Sequence, residues 1–187
     1  MTGHRFNPDK AEKLLDPQRA QMLPPEKVIH TLDLKEGDVV ADLGAGNGFL
    51  TIPLARQTKR TVYAVDIEPK MLELLRERAA QQEIDNIEYV QSNLENIRLD
   101  DQCVDVAISA FVLHEISDLP KAFSEMRRIL KPGGKALLID WEAQEMDMGP
   151  PLDERIPAED MRRFLHKQGF RVEQVQFHET NYAFVVS

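Results

Sequence analysis

The sequence predicts an α/β domain, a mostly parallel sheet with helices on both faces. Three observations predict it. Short β-branched runs alternate with longer amphipathic runs, and strands joined through helices come out parallel. The first of these runs feeds directly into Gly44-Ala45-Gly46-Asn47-Gly48. The second ends on an acid, Asp66, eighteen residues past Gly48. That is close to the spacing of roughly 20 residues at which a nucleotide-binding strand–helix–strand unit carries its ribose acid.

Each element has a local signal. Strands are expected over residues 39–43, 61–66, 87–91, 104–109 and 135–140, where Val, Ile and Ala dominate. Helices are expected over 48–57, 69–81 and 119–130, the second opened by Pro69 and the third stopped by Lys131-Pro132-Gly133-Gly134. A helix over 158–168 closed by Gly169 follows, then strand-like runs over 171–178 and 181–186. Ahead of the first strand, residues 6–16 look helical, Asp16-Pro17 reads as a break, and Pro24-Pro25 opens a helix running to Leu32. The expected organisation is one domain over residues 1–187, with 1–32 as a helical cap. Residues 141–157, rich in Met, Gly and Pro, belong to no core element. With the cap they are the material left to shape a substrate pocket. Trp141 either lines that pocket or closes the core, and Met146 and Met148 are flexible apolar lining.

Composition narrows the function. The net charge is −9, which argues against a phosphate-neutralising nucleic-acid face. A single cysteine, Cys103, excludes an internal disulfide and a multi-cysteine metal site. His4, His30, His166 and His178 fall in no metal-ligand spacing, so no metal is expected. No apolar run is long enough to span a bilayer, and the N-terminus lacks a signal-peptide core. A cytoplasmic location and no membrane partner are the expectation.

The glycine-rich turn carries the chemistry. Glycines allow a tight turn and close backbone approach to a ligand. A helix start behind it presents unpaired N–H groups. The dinucleotide fingerprint spaces its glycines G-x-G-x-x-G, whereas here the spacing is G-x-G-x-G with Asp42 ahead of it. An acid beside the turn suits an ammonium group and is unwelcome beside a pyrophosphate.

That turn resembles motif I of the class I S-adenosylmethionine-dependent methyltransferases, and the resemblance runs from about Val28 to Val186. It implies a Rossmann-like seven-stranded sheet whose last strand is antiparallel, and S-adenosylmethionine as cofactor. The implied cofactor residues are Asp42, Gly44, Ala45, Gly46, Asn47 and Gly48 in the turn, with Asp66 on the ribose and Ile67 on the adenine. Met71, Leu94 and Ser109 join them, as does Asn93, which stands where the family usually places an acid for the adenine amino group. The branch it resembles is that of ubiquinone and menaquinone biosynthesis methyltransferases, which implies a small-molecule acceptor. After the fourth strand, His114-Glu115-Ile116-Ser117-Asp118 is similar to the stretch carrying the general-base histidine of plant O-methyltransferases. His114 is therefore either the base or a loop hydrogen-bonding residue. A protein or RNA acceptor, a nicotinamide-dependent oxidoreductase and a cofactor-binding module without catalysis are the competing readings.

Overall fold

The computed structural model describes Leu14 and residues 16–187. The helix expected over 6–16 lies outside the described residues, save Leu14 and Asp16 at its end. The first described helix, α1 (Pro17–Met22), corrects the reading of Asp16-Pro17 as a simple break. Asp16 caps it, its side chain accepting from the Gln18 N–H at 2.8 Å. Pro17 opens it at a position where no N–H is needed. A second helix, α2 (Pro25–Thr31), follows.

The sheet has seven strands: β1 (Val40–Leu43), β2 (Val62–Asp66), β3 (Ile87–Gln91), β4 (Val104–Ala110), β5 (Leu130–Trp141), β6 (Val172–Val175) and β7 (Asn181–Val186). Their order is β3-β2-β1-β4-β5-β7-β6. The first five are parallel, and β7 runs antiparallel between β5 and β6. Val40 pairs with Val62 on one side and Val106 on the other. The strand order therefore reverses between β1 and β4. Beyond the carboxyl ends of these two strands lies the crevice where open α/β sheets bind ligands.

Period-two alternation sorts the strand residues onto two cores. Ile108, Leu137 and Ile139 pack on one face with Leu54 of α3 (Thr51–Gln57) and Leu75 of α4 (Pro69–Gln81). Ala107, Ala136 and Leu138 face the other way, toward Phe123 and Met126 of α5 (Leu119–Ile129) and Met161 of α6 (Ala158–Lys167). Helices thus cover both faces.

Three boundaries differ from expectation by more than one residue. The helix after the turn starts at Thr51 instead of Gly48, because Gly48 sits at φ +88°, a left-handed conformation that no helix can continue. Strand pairing in β5 starts before the Pro-Gly-Gly turn, since Leu130 already pairs with Val104 across an irregularity. The sixth strand stops at Val175, three residues short of the expected 178.

Candidate functional site

A cavity of about 870 Å³ opens at the carboxyl edge of β1, β2 and β4. The turn supplies Gly44, Ala45, Gly46 and Asn47 to its wall. All three glycines of the turn hold positive φ. At Gly44 the reason is also steric: a Cβ there would lie 2.9 Å from Cγ1 of Val112, on the loop after β4. The two loops flanking the reversal point touch, and only glycine lets them. A Cβ on Gly48 would lie 2.0 Å from Cδ1 of Leu75. Gly48 is absent from the cavity wall, and its role is to let α4 pack against the turn. Arg78 of α4 donates to the Asn47 carbonyl and pins the turn from the same side.

Asp66 ends β2 on the cavity wall. Its Oδ2 accepts from the Gly46 N–H at 2.7 Å and its Oδ1 from the Glu68 N–H at 2.9 Å. Burial raises its pKa above the usual carboxylate value, against the pull of these backbone bonds. Ile67, Met71, Asn93 and Leu94 continue the wall. The Asn93 side-chain oxygen already accepts from the Glu95 N–H at 2.9 Å, leaving one lone pair and the amide donors toward a ligand. Carboxylate, apolar slot and amide fit the diol and flat ring of a nucleoside.

Two sequence-predicted residues sit behind the wall. Asp42 is buried beneath the turn, its Oδ2 accepting from the Thr51 hydroxyl at 2.6 Å. Burial pushes its pKa up to about 6, with Asp66 adding to the rise while the Thr51 bond and the charge of Arg19 oppose it. Ser109 is buried in β4 and its Oγ has no hydrogen-bond partner among the described residues.

The other half of the cavity is apolar and aromatic. Phe111 leaves β4 at φ +60°, a strained conformation for a bulky residue that costs roughly 1–3 kcal/mol. That turn stacks its ring on Trp141, centroids 4.5 Å apart. Met22 of α1 and Met148 complete this side. Gly149 packs flat on the Trp141 indole, where a Cβ would approach to 2.8 Å. The loop carrying Met148 is held by the buried Arg155, which donates to the carbonyls of Glu142, Gln144, Met148 and Pro150 at 2.7–3.3 Å.

His114 stands between the two halves, in a 3-10 turn over Leu113–Glu115. Its Nδ1 lies 2.8 Å from Oδ1 of Asp140, and its backbone N–H donates to Oδ2 of the same carboxylate at 2.9 Å. Asp140 Oδ1 also accepts from the Trp141 N–H at 2.8 Å. Burial would push the imidazole pKa down, but the bond to and charge of Asp140, with Glu115 and Glu154, raise it above 6.5. With Nδ1–H donating to Asp140, Nε2 is the basic nitrogen. It lies 3.8 Å from Oε1 of Glu115. Among the described residues no cluster of three or more metal-ligating side chains exists. No helix among them is long and apolar enough to cross a membrane.

Residues 41–138 match the methyltransferase domain family. The chain belongs to that family. The chain is 34% identical to an S-adenosylmethionine-dependent methyltransferase from Aquifex aeolicus of known structure. The two superpose at a TM-score of 0.92, with 97% of this chain and 98% of the other covered. It is 35% identical over 119 residues to a 2-phytyl-1,4-naphtoquinone methyltransferase of Trichormus variabilis, covering 62% of this chain and 52% of that one. It is 33% identical over 125 residues to a ubiquinone/menaquinone biosynthesis C-methyltransferase of Marinomonas, covering 64% and 50%. The chain thus spans about half the length of these two relatives. The nicotinamide alternative is set aside by the family.

Sequence reasoning missed two residues of this cavity, Arg19 on its wall and Asp140 behind His114. Asp140 is 26 residues from its partner His114, and its only sequence signal was its place at the carboxyl end of a strand. Arg19 lies on the helix that the sequence reading did not contain.

Proposed function

We propose that this chain transfers a methyl group from S-adenosylmethionine to a small, largely apolar aromatic acceptor bearing an ionisable hydroxyl. The observation that carries the reading is one continuous cavity. It joins the nucleoside-fitting wall of Gly44–Asn47 and Asp66 to an aromatic wall of Phe111 and Trp141, with His114 at the junction.

When bound, S-adenosylmethionine supplies an already electrophilic methyl, so the chain has mainly to align the nucleophile. Alignment alone can be worth about 7–11 kcal/mol. Asp66 holds the ribose hydroxyls, while Ile67, Met71 and Leu94 cover the adenine. Phe111 and Trp141, stacked on each other, offer an apolar wall against which the acceptor ring lies. His114 accepts the hydroxyl proton at Nε2, and Asp140 fixes the tautomer and stabilises the imidazolium that forms. For carbon methylation the same deprotonation would give a phenolate with electron density on the ring carbon beside it, and that carbon would lose its own proton after methylation to restore the aromatic ring.

The names of the quinone-biosynthesis relatives support this acceptor class, and so does the apolar wall. The test is release of S-adenosylhomocysteine with a panel of hydroquinones, naphthoquinols and phenols, beside a peptide and an RNA panel. Turnover with the aromatic panel alone is the expected result. Turnover with peptide or RNA alone would replace the reading.

A further inference from the structure

Arg19 is the one charged side chain of α1 that lines the cavity as a cation. Its guanidinium carbon lies 5.2 Å from the centroid of the Phe49 ring and 4.8 Å from that of Phe111. Rings hold a guanidinium in place through their faces, but they accept none of its in-plane N–H bonds. Its Nε has no hydrogen-bond partner among the described residues, although it is buried. A guanidinium has five donors, and a buried one left short of acceptors is costly. Burial lowers its pKa only to about 10, so it is charged at neutral pH. The charge acting on it is that of Asp42, which stays behind the turn bonded to Thr51. The site is therefore a cation beside the glycine turn, oriented by two rings and short of an anion.

We propose that Arg19 binds the α-carboxylate at the amino-acid end of the cofactor, which makes α1 part of the cofactor site. This rests on the S-adenosylmethionine reading. Under that reading the cofactor's one anionic group is this carboxylate. Among the described residues the cavity wall carries no arginine or lysine besides Arg19, so an acceptor anion would find no second such cation there. A planar guanidinium suits a carboxylate because two parallel N–H groups meet its two oxygens.

The test is calorimetry with S-adenosylhomocysteine and its decarboxylated analogue, which differ only in the carboxylate. The wild-type protein should prefer S-adenosylhomocysteine by roughly 10- to 100-fold, the size of a charge-assisted hydrogen bond. Arg19→Met should abolish the preference by weakening S-adenosylhomocysteine alone. Arg19→Lys, which keeps the charge, should restore part of it. If Arg19→Met does not fold by circular dichroism, Arg19→Gln carries the same comparison. A preference that survives in the neutral variant would overturn the proposal. So would an equal loss for both ligands, which would make Arg19 a packing residue, or no preference in the wild-type protein. Binding of neither ligand to the wild-type protein would overturn the cofactor reading and this inference with it.

Discussion

The Asp140 carboxylate holds His114 twice, accepting the backbone N–H with Oδ2 at 2.9 Å and facing ring Nδ1 with Oδ1 at 2.8 Å. One acid thus fixes the turn that presents the ring, the ring's orientation and its tautomer.

The pH dependence follows in sign. Asp140 raises the imidazole pKa above 6.5. A base must be neutral, so kcat should rise with pH through a midpoint above 6.5. Asp140→Asn removes the charge and should move that midpoint to lower pH while lowering kcat. His114→Ala should lower kcat by about 10²-fold or more with cofactor affinity unchanged. A pH–rate profile of the three proteins checks this. A midpoint that does not move in Asp140→Asn would separate the carboxylate from the proton transfer.

Asp66→Ala should weaken S-adenosylhomocysteine binding by roughly 10- to 100-fold for each ribose bond lost, since bonds to a carboxylate are worth about 1.5–3 kcal/mol each. Its pKa is raised by burial, so binding by the wild-type protein should weaken on acidification sooner than an ordinary carboxylate of pKa 3.8 would dictate. Calorimetry across the acid range, on protein shown to be folded, reads both effects.

Gly48→Ala should destabilise the protein by about 2–5 kcal/mol, combining left-handed strain with overpacking. The Leu75 methyl at 2.0 Å is the partner it would strike. Leu75→Ala in the same chain should therefore cost less than its effect alone predicts. Urea unfolding of the two single variants and the double variant measures that coupling.

Arg155→Met removes the donors to four loop carbonyls. It should lower stability by about 2–3 kcal/mol and raise KM for the acceptor, leaving S-adenosylhomocysteine affinity near that of the wild-type protein. Equal weakening of both would mean that the loop also supports the cofactor half.

The central strands β1 and β4 were legible because they are buried almost throughout and consist mostly of Val, Ile, Leu and Ala. The glycine turn and Asp66 were legible because close backbone approach and a strand-end acid leave a local pattern. What the sequence concealed is non-local or context-dependent. Asp16-Pro17 serves as a break in one setting and as a cap with first-turn proline in another, and here it is the second. With α1 unseen, Arg19 had no place in the fold. The pairing of His114 with Asp140 is set by the adjacency of β4 and β5, which no spacing along the chain encodes. Gly48 and Ser109 carry family signatures, yet the geometry gives one to packing and buries the other in a strand.

Arg155 grips its loop only through carbonyl oxygens, and every amino acid carries one. The cavity-lining side chains Asp147 and Met148 can therefore change without removing these bonds, while Gln144, Met146 and Gly149 keep contacts of their own. Such a scaffold lets acceptor choice drift by single substitutions while the methyl-donor half stays constant. New specificities in this lineage, whether natural or selected in the laboratory, should accumulate at Asp147 and Met148, which line the cavity, before they touch the turn after β1.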